Sequence, residues 1–307
     1  MAPAVALPAG STLRPRLVNR SALIASLLLV AVGVVVLAVM VSVRQSALFI
    51  VGAAAGLVLY HAAFGFTSSW REFIAHGRGG GLRAQVLMLA VTTAVFIPCI
   101  ARGEVLGQAV RGSVAPAGVP VLCGAFLFGI GMQLGGGCAS GTLFSAGGGS
   151  VRMLVTLAAF IAGSVLGVRF SGFWEHTPAL PPISLVAELG AASAFGLSVA
   201  GFALLLALSL VVERRRRGAV EPIGRVAGSS VLHGPWPLAA GALGLAAVNA
   251  ATLVLAGRPW GVTSAFALWG GKLLMLGGVD VAAWPYWQTP ARALDLLQLA
   301  RFQLPAR

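Results

Sequence analysis

The sequence predicts an all-α, polytopic integral membrane protein with about eight transmembrane helices, re-entrant half-helices and an inverted repeat. Three observations carry this prediction. The first is composition. Of 307 residues, 58% are hydrophobic and 9% charged, and mean hydropathy is +0.93. A soluble domain carries about 25% charged residues, so a water-soluble enzyme and a disordered chain are both excluded. The second is clustering. Residues 21–43, 45–70, 84–101, 112–151, 189–212 and 226–257 contain no Asp, Glu, Lys or Arg. About 20 apolar residues cross about 30 Å of hydrocarbon. Runs this continuous lack the alternation of barrel strands, so the spans are helices, which satisfy their own backbone. The third is a repeated motif, described below.

The elements follow in order. Arg14, Arg16 and Arg20 precede the first span, 21–43. That span is too long for a signal-peptide core and lacks a clear cleavage site, so it reads as a signal anchor. Further spans are 46–66, 84–101, 117–136, 151–170, 189–212 and 236–256, with an eighth near 262–279. Starting inside and alternating puts twelve arginines inside and four outside up to the seventh span. This positive-inside bias places the N-terminus in the cytoplasm. The net charge of +13 therefore reports orientation rather than nucleic-acid binding. Glu213–Arg217 reads as a topological anchor, with a lipid or partner site as the alternative. The resulting organisation is a cytoplasmic segment 1–20, a first repeat half 21–212, a basic cytoplasmic linker 213–235 and a partial second half 236–307. Residues 291–303 read as a short amphipathic helix at the interface.

The repeat is aromatic-Gly-x-Thr-Ser-x-aromatic. It occurs as Phe64-Gly65-Phe66-Thr67-Ser68-Ser69-Trp70 and as Trp260-Gly261-Val262-Thr263-Ser264-Ala265-Phe266, 196 residues apart. Five crossings separate the copies, an odd number, so the halves are expected to be inverted. Cys138 lies 73 residues beyond Gly65, and the same offset from Gly261 points to position 334, past Arg307. A second cysteine segment is therefore expected to be missing from this chain, as in a truncated or asymmetric protein.

The chemistry is expected in Gly129–Ser150, where nine of 22 residues are Gly within a 40-residue uncharged run. Gly costs about 1 kcal/mol in a helix interior, so Gly135, Gly136 and Gly137 should break the helix. Broken backbone at membrane depth lines a cavity or is buried in protein. A half-helix beginning near Cys138 would offer free N–H groups to an anion. Cys138, Ser140 and Thr142 add side-chain donors, and Gly136, Gly137 and Gly141 permit close backbone approach. No Gly-Lys-Ser/Thr follows, so this is no nucleotide loop. Gly147–Gly149 reads as a turn, with Ser150 capping the next helix. Three Cys without a CxxC pair suggest neither a zinc site nor a disulfide framework, and no cofactor is expected.

The segment Leu134-Gly-Gly-Gly-Cys-Ala-Ser-Gly-Thr-Leu143, with Gly147-Gly-Gly-Ser-Val-Arg152, resembles the signature of the YeeE/YedE family of sulfur-transport membrane proteins. Gly257–Ser264 and Trp269-Gly-Gly-Lys272 resemble a later segment of that family. The resemblance covers roughly residues 45–280. It implies a bacterial inner-membrane permease for thiosulfate or a related sulfur anion, not an enzyme. It also implies inverted halves with re-entrant helices in an hourglass, and passage of the anion by transient S–H···S contacts with cysteine thiols. Cys138 is the position that carries over. Membrane lipid and a cytoplasmic sulfur-carrier protein are the implied partners.

Other residues have plainer readings. A free Cys is usually a small buried hydrophobe. Cys99 and Cys123 read that way, with Cys123 nearer to function because its helix leads into the glycine segment. Lys272, the only Lys, reads equally as a functional intramembrane charge and as a snorkelling one. His61 and Gln133 read as polar helix-packing groups. Gly52-x-x-x-Gly56 and Gly163-x-x-x-Gly167 read as close-packing motifs, and Trp260, Trp269, Trp284 and Trp287 as interfacial belt residues. Two alternatives to a permease remain. One is a persulfide relay on Cys138, which needs an activated thiolate, although no His or basic residue lies within ten positions of Cys138. The other is an inactive half-transporter acting as a subunit.

Overall fold

The computed structural model describes residues 20–224, 235–289, 292, 293 and 296. Arg14, Arg16 and Arg225, and most of the expected amphipathic stretch 291–303, lie outside the described residues. Among those described, seven helical stretches are long and apolar enough to cross a membrane. The protein is an all-α, multi-pass membrane protein. Its only paired strands among the described residues form a small hairpin, β1 (Glu104–Val105) with β2 (Gln108–Ala109).

The chain divides into two compact units, residues 1–53 and 54–307. The first contains α1 (Arg20–Met40) and the start of α2 (Val43–Ala62). Apart from Arg20 at the start of α1 and Arg44 and Gln45 at the start of α2, these two are largely apolar. They are joined by the Ser46 hydroxyl, which donates to the Val34 carbonyl at 2.9 Å, and by the Phe49 ring lying over Gly33.

The second unit contains the rest. The end of α2 is followed by α3 (Phe66–His76), α4 (Gly80–Arg102), α5 (Val119–Gly135), α6 (Ala139–Gly147) and α7 (Val151–Arg169). Then come α8 (Ser171–Glu175), α9 (Leu185–Arg217), α10 (Leu238–Ala256) and α11 (Val262–Leu276). The expected spans agree with these helices to within a few residues. The eighth is a 15-residue helix, shorter than the others. α9 bends at Gly190, whose φ of +78° and ψ of 162° are non-helical. α4 packs between α9 and α10, and α7 packs against α6 and α11.

Close helix approach rests on glycines other than those expected. A Cβ at Gly244 of α10 would lie 3.0 Å from both γ-carbons of Val58, and Gly241 faces Ala62. Gly270 of α11 faces Ile161 and Val165 of α7. By contrast, a Cβ at Gly52, Gly56, Gly163 or Gly167 would meet nothing within 4 Å. Among the described residues no helix approaches the GxxxG spacing at these two places, and a small residue aids packing only where one does. One of the expected belt tryptophans is placed differently: Trp287 is buried with Val168, Ala267, Val281 and Leu296. Trp260 is exposed and also lines a cavity described below.

The basic end of α9 is more than a topological anchor. α9 continues through Glu213–Arg217, where the sequence reading stopped at residue 212, because partners from other helices meet its charges. Arg83 of α4 donates to the Glu213 carboxylate, and both are buried. Arg83 also donates to the Glu221 carbonyl at 2.6 Å. Arg216 donates to the Ile74 carbonyl near the end of α3 at 2.8 Å, and Arg217 pairs with Glu221 at 3.3 Å. Gly79 gives these groups room, since a Cβ there would collide with Ser209 Oγ and Arg83 Nη1. One polar cluster thus ties the end of α3, the start of α4 and the end of α9 together.

Removing one member of a buried pair leaves the other charge uncompensated, at about 3–5 kcal/mol. Glu213→Gln is therefore expected to lower the unfolding midpoint of the detergent-solubilised protein markedly, whereas Arg214→Gln should leave it nearly unchanged. Thermal unfolding monitored by size-exclusion fluorescence measures both.

Candidate functional site

Three short helices begin around one cavity. The sequence forces each start. α5 ends at Gly135, and Gly136 follows in the left-handed region at φ +79°, where its N–H donates to the Met132 carbonyl at 3.1 Å. Cys138 stands in extended conformation at the N-cap of α6. The break expected at Gly135–Gly137, and the half-helix beginning near Cys138, are both present. Gly65 is the N-cap of α3 and Gly261 that of α11. The two repeat copies share a local hydrogen bond as well as a sequence. Ser68 donates to the Gly65 carbonyl at 3.1 Å, and Ser264 to the Gly261 carbonyl at 2.6 Å.

These three starts line a cavity of about 410 Å³. Phe66 of α3, Ala139 and Ser140 of α6, and Val262 and Thr263 of α11 all belong to its wall, with Cys138, Phe64 and Trp260 beside them. The first N–H groups of a helix have no intrahelical acceptor, and the helix dipole is positive at that end. The remaining wall is largely apolar, from Ala55 and Leu59 of α2, Met88 of α4, Phe128 of α5, and Leu245 and Val248 of α10. Gln85 and Asn249 are its amide-bearing members, and among the described residues no charged side chain lines it.

Within the wall, the Cys138 sulfur lies 3.5 Å from Ser140 Oγ. A Cβ on Gly141 would come within 3.3 Å of that sulfur, so Gly141 keeps the thiol clear of its own helix. Thr142 is fully buried behind the wall, and its Oγ1 has no hydrogen-bond partner among the described residues. Gly137 leaves space for it, since a Cβ there would sit 3.1 Å from Thr142 Oγ1. The Asn249 amide nitrogen is engaged with the Leu245 carbonyl at 2.9 Å.

The break is braced from outside the cavity. Arg71 of α3 donates to Gln133 Oε1 at 3.1 Å and to the Gln133 carbonyl at 3.2 Å. Gln133 is thus a helix-packing group, as expected, and it couples the two broken spans. His61 packs likewise, with Nδ1 3.1 Å from the Leu57 carbonyl and its ring 5.2 Å from that of Trp236. Arg152 of α7 lies against Gly136, where a Cβ would come within 2.8 Å of Nη2. Ser150 occupies the N-cap of α7, but its side chain makes no capping hydrogen bond, so the cap expected there is positional only.

Of the expected site residues, Cys138 and Ser140 line the cavity, while Gly136, Gly137, Gly141 and Thr142 form the backbone behind it. Lys272 stands elsewhere. It lies ten residues beyond Val262 on α11, about 15 Å along the helix, and is absent from the cavity wall. Cys123 lies on α5, also outside the wall, and Cys99 is on α4. Sequence reasoning missed Gln85, Asn249 and the aromatic residues of the repeat. A glutamine within an apolar span was the available signal for Gln85. A second cavity of about 580 Å³ meets the other side of the α11 start, and Thr263 lines both.

The family comparison decides what kind of protein carries this cavity. The model of the sulphur transport family matches residues 61–292, which include Cys138 and both repeat copies. The chain belongs to the sulphur transport (YeeE/YedE) family. It is also similar to a probable transporter, YedE, of Salmonella typhimurium strain LT2. The identity is 28% over 207 residues, covering 64% of this chain and 49% of that protein. The chain spans about half the length of the curated relative it matches.

The left-handed Gly136 gives a direct test of the break. A non-Gly residue in that region costs about 1–3 kcal/mol, and the Arg152 guanidinium adds a steric conflict. Gly136→Ala is expected to lower thermal stability in detergent, whereas Gly131→Ala, in open helix surface, should preserve or raise it.

Proposed function

We propose that this protein is a permease for a small sulfur-containing anion of the thiosulfate type, with the Cys138 cavity as its substrate site. The observation that carries the reading is the wall itself: one thiol and three helix N-termini, with no charged side chain. Membership of a sulphur transport family supports the substrate class.

The chemistry fits transit rather than capture. Three dipole ends attract a negative charge without supplying a full counter-ion. A cation in the wall would hold the anion more tightly, and a transported ion must also leave. The Cys138 thiol can donate a weak S–H bond to the terminal sulfur, and Ser140 can donate to an oxygen. The apolar wall raises the strength of each contact by excluding water. The second cavity, reached past Thr263, serves in this reading as the compartment on the other side of the α11 start. The positive-inside pattern supports a cytoplasmic N-terminus in a bacterial inner membrane. A cytoplasmic sulfur-carrier protein would receive the cargo.

The test is thiosulfate uptake by cells lacking other routes, with the amount of protein in the membrane measured in parallel. Wild type should exceed empty-vector cells. Cys138→Ala should reduce uptake about 3–10-fold, since even a modest hydrogen bond contributes about 0.5–1.5 kcal/mol. Cys99→Ala and Cys123→Ala should leave it within about twofold, both lying outside the wall. Wild-type uptake equal to that of empty cells would sink the reading for this chain. Thr263→Trp, which fills the junction of the two cavities, is expected to block uptake while leaving membrane abundance unchanged. A persulfide relay predicts something different: after incubation with a sulfur donor, intact-mass measurement would show one added sulfur atom that depends on Cys138.

A further inference from the structure

We propose that Gln85 recognises the oxygen end of the substrate, and so selects anions that carry both oxygen and a terminal sulfur. The inference rests on the Cys138 cavity being the substrate site, and it adds a residue on a different helix from any considered above.

Gln85 sits near the start of α4 and is 7% exposed. It lines the cavity, and its Nε2 is buried without a hydrogen-bond partner among the described residues. Buried amide donors in folded proteins are nearly always paired. The unpaired Nε2 is itself shielded from solvent beside the cavity that Gln85 lines, so a turn of the amide toward that space lets a ligand complete the set. The other amide in the wall differs, because Asn249 already spends its nitrogen on the Leu245 carbonyl.

The neighbouring charge cannot take this role. Arg83 precedes Gln85 by two residues, but its guanidinium is bound to Glu213 and to the Glu221 carbonyl. Gln85 is therefore left as a neutral donor with two N–H groups, suited to the oxygens of a sulfonyl group. The Cys138 thiol supplies a softer, more polarizable contact suited to terminal sulfur. Thiosulfate presents both ends. Sulfate lacks the soft end, and hydrosulfide lacks the oxygens.

The experiment uses the purified full-length chain in lipid nanodiscs, titrated with sodium thiosulfate, sodium sulfate and sodium hydrosulfide. Binding is read by calorimetry, and folding by the ligand-free unfolding temperature. Gln85→Met keeps the volume and removes the donor. Gln85→Glu keeps the shape and replaces the donor with acceptors. Gln85→His keeps an N–H donor. Gln85→Met is expected to weaken thiosulfate binding about 10–100-fold, Gln85→Glu to abolish it, and Gln85→His to retain most of it. Hydrosulfide binding that is absent, or unaffected by Gln85→Met, supports the assignment. The assignment falls alone if wild type binds thiosulfate and the Met and Glu variants bind it equally well. It also falls alone if Gln85→Met weakens thiosulfate and hydrosulfide to the same degree, the mark of a structural role. If wild type binds none of the three anions, the reading of the cavity falls, and this inference with it.

Discussion

A helix that stops inside hydrocarbon leaves N–H or carbonyl groups without intrahelical partners, and water is not there to take them. The architecture around Cys138 is organised by that constraint. At the end of α5, Gly136 turns left-handed so that its own N–H meets Met132, and Arg71 reaches from α3 to the Gln133 carbonyl. At the starts of α3 and α11, a serine three residues on binds back to the capping glycine carbonyl. The C-terminal side of the break is thus satisfied by protein. The N-terminal sides lie in the wall of a shared cavity. The same requirement that makes a break expensive makes it useful, because the groups left over are the ones an anion wants.

The second constraint is charge. With 9% charged residues, each charge has a large effect on where a helix can lie. The hydropathy pattern reads the arginines as orientation signals, and most remain exposed. Arg83, Glu213, Arg216 and Glu221 do more: Arg83 binds Glu213 and the Glu221 carbonyl, and Arg216 binds the Ile74 carbonyl of α3. Arg83 precedes Gln85 by two residues, so the cluster also helps to fix the register of α4 beside the cavity.

What was legible in the sequence follows from range. The spans were legible because each is a local run of apolar residues, and the break at Gly135–Gly137 because glycine acts on its own backbone. The paired aromatic-glycine motifs were visible as a repeat, but not as two walls of one cavity. That fact depends on how α2, α5, α10 and α11 come together. Gln85 had no local signature beyond its polarity. Its role appears only once Met88, Leu245 and Cys138 surround the same space. The GxxxG spacings misled for the converse reason: Gly52, Gly56, Gly163 and Gly167 permit close approach, and no neighbour uses it. Lys272 lies outside the Cys138 cavity wall, and a lone lysine marks a charge in the sequence but not the surface it faces.

On the proposed reading, a wall without a cation among the described residues narrows the mechanism. A site that selected by net charge would admit sulfate, chloride and phosphate alike, and a lysine or arginine would serve for that. Dipole ends and neutral donors bind more weakly, so discrimination must come from matching each part of the substrate separately. A polarizable thiol on one element and a hydrogen-bonding amide on another divide that task. Neither holds the anion by itself, which allows release. Both must be engaged for full stabilisation in a dry cavity, which gives selectivity to a site with no strong contact. The fold carries this division of labour because the thiol belongs to the cap of a broken helix and the amide to a continuous one. On the proposed reading, the break sets where the sulfur goes, and the packing of α4 sets where the oxygens can follow.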